Sequence, residues 1–185
     1  MITPRIRDDV PDSKYLADAD KDWPFVFPID SSGGLIVGDC AATLIKERYA
    51  ITAAHCFGKN IKKFPVKIKG QTYQVISVYR NPCFSISKDG PDGADAAVMK
   101  LDKSPPSSIP RVPIYPFRNE VGKRIEIVGW GDTGKAGDNK KKTKWDKKFR
   151  AAENIVTKTQ KSMVVYTFDK KLPLEGLAWS GDVSI

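Results

Sequence analysis

Leu44-Ile45-Lys46-Glu47-Arg48-Tyr49-Ala50-Ile51-Thr52-Ala53-Ala54-His55-Cys56 is the stretch on which the reading of this chain turns. It holds the only histidine among 185 residues, set between alanines and a cysteine directly after an alternating apolar run. Sixteen residues before Cys56, a second cysteine opens the segment Cys40-Ala41-Ala42-Thr43-Leu44-Ile45. Taken alone, the stretch fits a core histidine beside a chance pair of cysteines. A motif acquires meaning from its surroundings, and here these are short β-rich runs separated by turn residues. Pro24–Ile29, Leu35–Val37, Ala42–Ile45, Tyr49–Thr52, Phe64–Lys69 and Thr72–Tyr79 read as strands, with Asp30-Ser31-Ser32-Gly33-Gly34 as a hairpin turn. In the last of them Tyr73, Val75 and Tyr79 are expected on one face. Phe149–Val156 and Met163–Phe168 read as further strands. Many short strands with few helix signals predict an all-β barrel architecture.

The histidine stretch resembles the histidine motif of the trypsin-like (chymotrypsin-fold) serine peptidases, in which Thr-Ala-Ala-His-Cys follows a Cys-Gly-Gly-Ser-Leu-Ile strand. The resemblance implies an all-β fold of two antiparallel six-stranded β-barrels, with the active site in the cleft between them. It implies peptide-bond hydrolysis with His55 as general base. It also implies a Cys40–Cys56 disulfide, which needs an oxidising compartment, extracellular or periplasmic, and would contribute ~2–4 kcal/mol. Cys83 is left over. A buried free thiol and half of a pair whose partner lies outside this sequence both stay open.

Asp92-Gly93-Ala94-Asp95-Ala96-Ala97-Val98-Met99-Lys100-Leu101 is similar to the family's Asp-Ile-Ala-Leu-Leu-Lys-Leu strand, with Asp95 in the position of the triad aspartate. A carboxylate entering an apolar strand has to be paired, because burying it alone is costly. His55 is the one imidazole available to it. Asp92 is the alternate candidate, less well placed because the apolar run begins only after Asp95. An Asp95 that merely ends a polar loop and faces water is the plain alternative. Farther on, Gly129-Trp130-Gly131 matches the family's third recurring motif, in the same order after the other two.

Leu177-Ala178-Trp179-Ser180-Gly181-Asp182-Val183-Ser184-Ile185 begins like the approach to Gly-Asp-Ser-Gly-Gly-Pro. Gly181 and Asp182 match and form the remnant of the oxyanion turn, but Val183 stands where the nucleophilic serine belongs. Valine has no hydroxyl. Ser184 is one residue late and Ser180 precedes the turn, so each is a poor substitute for a nucleophile that must reach its base. Leu177, at the position where an acidic residue would select cleavage after Lys or Arg, gives no support to that preference. The expectation is a serine endopeptidase family member without its nucleophile, inactive as written. It would be a C-terminally truncated or frameshifted version of an active peptidase, with its second barrel incomplete. A non-catalytic homologue that binds a partner is the alternative, and a basic binding protein unrelated to peptidases is the third reading.

Composition bounds the partners. The chain carries 31 Lys+Arg against 22 Asp+Glu, a formal charge of +9, which permits contact with nucleic acid or anionic polymers but does not set a fold. Polypeptide substrates or a protein partner are expected, and nucleic acid is not. Residues 138–148 hold six lysines, Lys140, Lys141, Lys142, Lys144, Lys147 and Lys148, around Trp145. They read first as a solvated loop and second as a site for anionic polymers. No apolar run approaches membrane-spanning length, and no cofactor or metal is expected. Between Phe57 and Arg80 there is no Asp or Glu to hold calcium.

Residues 1–22 are charged, broken by Pro4 and Pro11, and expected along the surface. They lack the apolar region of a signal peptide. Arg5-Ile6 invites comparison with the family's activation cleavage, in which trimming after a basic residue frees an Ile or Val amino group. Ile6 is followed by Arg7-Asp8-Asp9 rather than Val-Gly-Gly, so a plain surface tail stays open beside it. The expected division is 1–22 as N-terminal segment and candidate activation region, 23–103 as the first barrel, 104–120 as a proline-rich connector and 121–185 as the partial second barrel.

Overall fold

From Phe64 to Ile68 burial alternates residue by residue, buried at Phe64, Val66 and Ile68 and exposed between them. Period-two burial of this kind belongs to a strand with one face on a core. A computed structural model describes residues 5–29, 40–58, 61, 63–84, 94–131, 133–134, 146–160, 163–169, 171–177 and 182–184. Among them are twelve strands: β1 (Arg5–Ile6), β2 (Val26–Ile29), β3 (Cys40–Lys46), β4 (Tyr49–Thr52), β5 (Phe64–Ile68), β6 (Gln71–Arg80), β7 (Ala97–Leu101), β8 (Arg124–Gly129), β9 (Arg150–Gln160), β10 (Met163–Tyr166), β11 (Gly176–Leu177) and β12 (Asp182–Ser184). The chain divides into two compact units, Ala19–Pro116 and Met1–Asp18 with Phe117–Ile185. The all-β class read from the sequence is the class observed.

In Ala19–Pro116 six antiparallel strands form one sheet in the order β2-β3-β4-β7-β6-β5. Its two edges, β2 and β5, lie against each other, which nearly closes the sheet into a barrel. Phe27, Leu44, Ile68, Tyr73, Met99 and Leu101 are among the buried side chains that fill it. Lys69 and Gly70, both at positive φ (46° and 75°), make the two-residue link from β5 to β6. Two positive φ values in succession give a turn whose twist matches that of the paired strands.

Tyr79 departs from the expected face. Val75 pairs with Leu101 but Ser77 pairs with Lys100, so Ile76 is an extra residue in β6. A bulge of one residue exchanges the faces of everything beyond it. Val78 therefore packs on the core and Tyr79 is 56% exposed.

The other unit carries a four-stranded sheet, order β10-β9-β8-β12, and a two-stranded ribbon, β1-β11. Both are antiparallel. The N-terminal stretch expected along the surface is partly built into this unit. Ile6 pairs with Gly176, and Tyr15 is only 1% exposed. Trp130 of the Gly-Trp-Gly motif packs on Phe149 with ring centroids 4.6 Å apart. Cys83 is an exposed free cysteine, which removes the buried-thiol reading. Gly33-Gly34, Leu35–Val37, most of the lysine-rich stretch, Asp92, Ser180 and Gly181 lie outside the described residues. No helix among the described residues is long and apolar enough to cross a membrane.

Candidate active site

Strand pairing brings the histidine and the aspartate together. β4 and β7 run antiparallel with Thr52 opposite Ala97, so the residues just after Thr52 lie beside those just before Ala97. His55 follows β4 by three positions and Asp95 precedes β7 by two. A separation of 40 residues in sequence becomes contact in space: the His55 backbone N–H donates to Asp95 Oδ1 at 2.8 Å. Asp95 Oδ2 lies 2.6 Å from His55 Nδ1. Both carboxylate oxygens are thus committed to one residue, and both side chains are 45% exposed. The carboxylate meets the imidazole at a partly exposed position rather than in the core.

The turn that carries His55 is fixed from below. Ala54–Cys56 is a single 3-10 turn, closed by the Phe57 N–H on the Ala54 carbonyl at 3.2 Å. Ala54 and Cys56 point inward, at 0% and 1% exposure, which turns His55 between them outward. A side chain larger than Ala54 at this fully buried position would have to displace the core. Cys56 is bonded to Cys40 at the start of β3, with Cα atoms 6.2 Å apart. A link closing a loop of this size contributes about 3 kcal/mol.

Thr52 is the residue that sequence reading missed. Its buried hydroxyl donates to the Ala41 carbonyl at 2.8 Å and lies 3.8 Å from Cys56 Sγ. It ties β4 to the disulfide on the side opposite Asp95. A threonine at an inward position of an alternating strand was the available signal, since a buried hydroxyl must find a partner.

Cys40, His55 and Cys56 offer ligand atoms within 4.8 Å of one another. Metal binding by cysteine requires thiolates, and here the two sulfurs are bonded to each other, so this trio does not fit a metal ion. Of the residues around the expected nucleophile, Gly181 is not among those described. Asp182 begins β12, where Asp182, Val183 and Ser184 pair with Gly129, Val128 and Ile127. Leu177 pairs with Arg5 in the β1–β11 ribbon.

The Trypsin family pattern matches residues 17–170. Factor V activator of Macrovipera lebetinus is 31% identical over 121 residues, covering 58% of this chain and 44% of that protein. Azurocidin of Sus scrofa is 28% identical over 127 residues, covering 60% and 48%. The chain thus spans about half the length of these curated relatives or less. Among solved structures, neuropsin, a serine protease of mouse brain, matches with a TM-score of 0.63 at 18% identity, over 88% of this chain and 81% of that one. A second structure, described as GrC, matches with a TM-score of 0.51 at 18% identity, over 78% and 64%. At that identity the structural matches establish the fold, while the family pattern covers most of the sequence. The chain belongs to the trypsin family.

Proposed function

We propose that this chain carries the proton-handling half of a serine endopeptidase site, with His55 as general base, Asp95 as its orienter and Val183 at the position of the nucleophile. The observation that carries the reading is the double use of Asp95, one oxygen on the His55 backbone N–H and the other on Nδ1. An ionised carboxylate only accepts hydrogen bonds, so it keeps the ring proton on Nδ1 and leaves the Nε2 lone pair to take a proton. A serine hydroxyl is the natural source of that proton, and valine supplies none. Gly181 and Asp182 match in sequence the start of the family turn whose backbone N–H groups face a developing oxyanion, although Asp182 here opens a strand opposite Gly129.

On this reading the substrates of a form with serine at position 183 are polypeptides, bound in an oxidising compartment. The Cys40–Cys56 disulfide supports that location. The chain as it stands hydrolyses neither peptide nor ester bonds. The test is hydrolysis of a panel of fluorogenic peptide and activated ester substrates by the purified chain and by its His55→Ala variant. Equal, background-level rates are expected for both. Turnover that His55→Ala abolishes would overturn the reading, and its further loss in Ser184→Ala would assign the nucleophile to the neighbouring residue.

A further inference from the structure

His55 and Asp95 sit on two separate turns, and their contact lasts only while the turns keep their spacing. The His55 turn is held from β3 by the Cys40–Cys56 bond and the Thr52 hydroxyl. Its far side leans on β5 and β6. Phe57 is buried and packs on Phe64 of β5 with ring centroids 6.0 Å apart. The carbonyl of the next residue, Gly58, accepts from Nη2 of Arg80, the last residue of β6.

Asp95 lies at the centre of a three-residue turn, closed by the Ala96 N–H on the Ala94 carbonyl at 2.8 Å. The Ala96 carbonyl in turn accepts from the Asn81 N–H at 2.8 Å. One residue back, Arg80 pairs with Ala97 at the start of β7. Asn81 is itself fixed, its side-chain oxygen accepting the Cys83 N–H at 3.0 Å and its carbonyl the Phe84 N–H at 2.9 Å. Two adjacent residues therefore hold both turns. Asn81 takes the Asp95 turn through its backbone, and Arg80 takes the His55 turn through its side chain.

The tolerance between the turns is small. Asp95 meets two groups of His55 at once, the backbone N–H at 2.8 Å and Nδ1 at 2.6 Å. A relative shift of about 1 Å takes such contacts out of hydrogen-bond range. We infer that Arg80 is a positioning residue for the His55–Asp95 pair, a strut that sets one turn against the other by holding the Gly58 carbonyl. The inference rests on the reading of His55 and Asp95 as base and orienter, and adds a residue that acts on them through the backbone. Arg111 supplies a comparison within the same unit. Its guanidinium also collects carbonyls, those of Glu47 and Pro105 among them, but it ties the β3–β4 link to the connector.

The test is hydrogen exchange at the His55 backbone amide, which reports the Asp95 contact whatever the ring tautomer. It is followed in the full chain as wild type, Arg80→Met, Arg80→Lys and Arg111→Met, with the amides of β3 as the gauge of barrel stability. Methionine keeps an unbranched apolar stem and removes the donors, while lysine keeps one cationic donor for one carbonyl. Exchange at His55 is expected to rise about tenfold in Arg80→Met and to return to within about threefold of wild type in Arg80→Lys. It is expected at the wild-type rate in Arg111→Met, with β3 unchanged in both Arg80 variants. In ¹⁵N spectra of the same samples, the Nδ1–H form of the ring should lose population in Arg80→Met and regain it in Arg80→Lys. An unchanged His55 rate in Arg80→Met, a rise matched in β3, or no recovery with lysine would overturn the inference. A wild-type ring protonated on Nε2 would overturn the catalytic reading instead, and the amide rates would still decide the role of Arg80.

Discussion

The two units bury different chemistry. Among the described residues of Ala19–Pro116 the buried polar ones are Thr43 and Thr52, and the large buried cluster, from Phe27 to Ile109, is hydrophobic, with the Tyr73 hydroxyl bonded to Gln71. Among the described residues of Met1–Asp18 with Phe117–Ile185 the buried polar ones are Arg150, Asn154 and Glu175. Closure explains the contrast. A sheet whose edges meet satisfies its own backbone and can fill its interior with side chains that need no partners. Among the described residues the four-stranded sheet of the other unit is not closed on itself, and the irregular segments there find hydrogen bonds elsewhere. Ion pairs and inward-turned carboxylates supply them. The barrel is thus held by area removed from water, while the second unit leans on geometry that a single lost partner can undo.

Two substitutions break that comparison from opposite sides. Met99→Ala, at a side chain with 0% exposure in the barrel, is expected to cost about 3 kcal/mol. Amide exchange in β3 and β4 should accelerate, while exchange in β9 stays close to wild type. Equal acceleration in both units would mean that the two do not rest on separate cores.

Asp146→Asn is expected to do the reverse with a smaller effect, about 2 kcal/mol at neutral pH. Arg150 beside it holds the Asp146 carboxyl well below its ordinary value of 3.8, chiefly through their hydrogen bonds. A carboxyl depressed by folding stabilises the fold above its unfolded value and loses that contribution as the pH falls through the folded one. The gap between wild type and variant should therefore be constant from pH 8 to about 5 and close in acid below the ordinary carboxylate range. Urea unfolding across that range, read by exchange in β9, measures it. A gap that widens in acid would contradict the assignment.

Much of the barrel was legible because local pattern and global packing agree there. Tyr49–Thr52 ends as read, and Phe64–Ile68 alternates in burial as its side chains alternate in character. His55 and Asp95 were singled out for a different reason, the family motifs they sit in; the antiparallel pair with Thr52 opposite Ala97, which brings them together, is visible only in the structure. Tyr79 was misread because nothing in the residues around Ile76 announces a bulge, which exists only by reference to the partner strand. Tyr15 and Asp12 were misread because their partners, Glu175 and Arg150, lie 160 and 138 residues away. A charged, proline-broken stretch looks like a tail until those partners are known. Periodicity reports what one strand does alone, and these contacts join segments far apart in sequence.

Because the chain has one histidine, nitrogen NMR of the imidazole tests the central claim without ambiguity. In ¹⁵N-labelled protein, at a pH where the ring is neutral, the tautomer can be read directly from the two ring nitrogens. The account predicts the Nδ1–H form, held by Asp95, and loss of that preference in Asp95→Asn. A neutral ring that carries its proton on Nε2 in the wild type would contradict it, since the lone pair would then sit on Nδ1 against Asp95 and none would be left on Nε2 to act as a base.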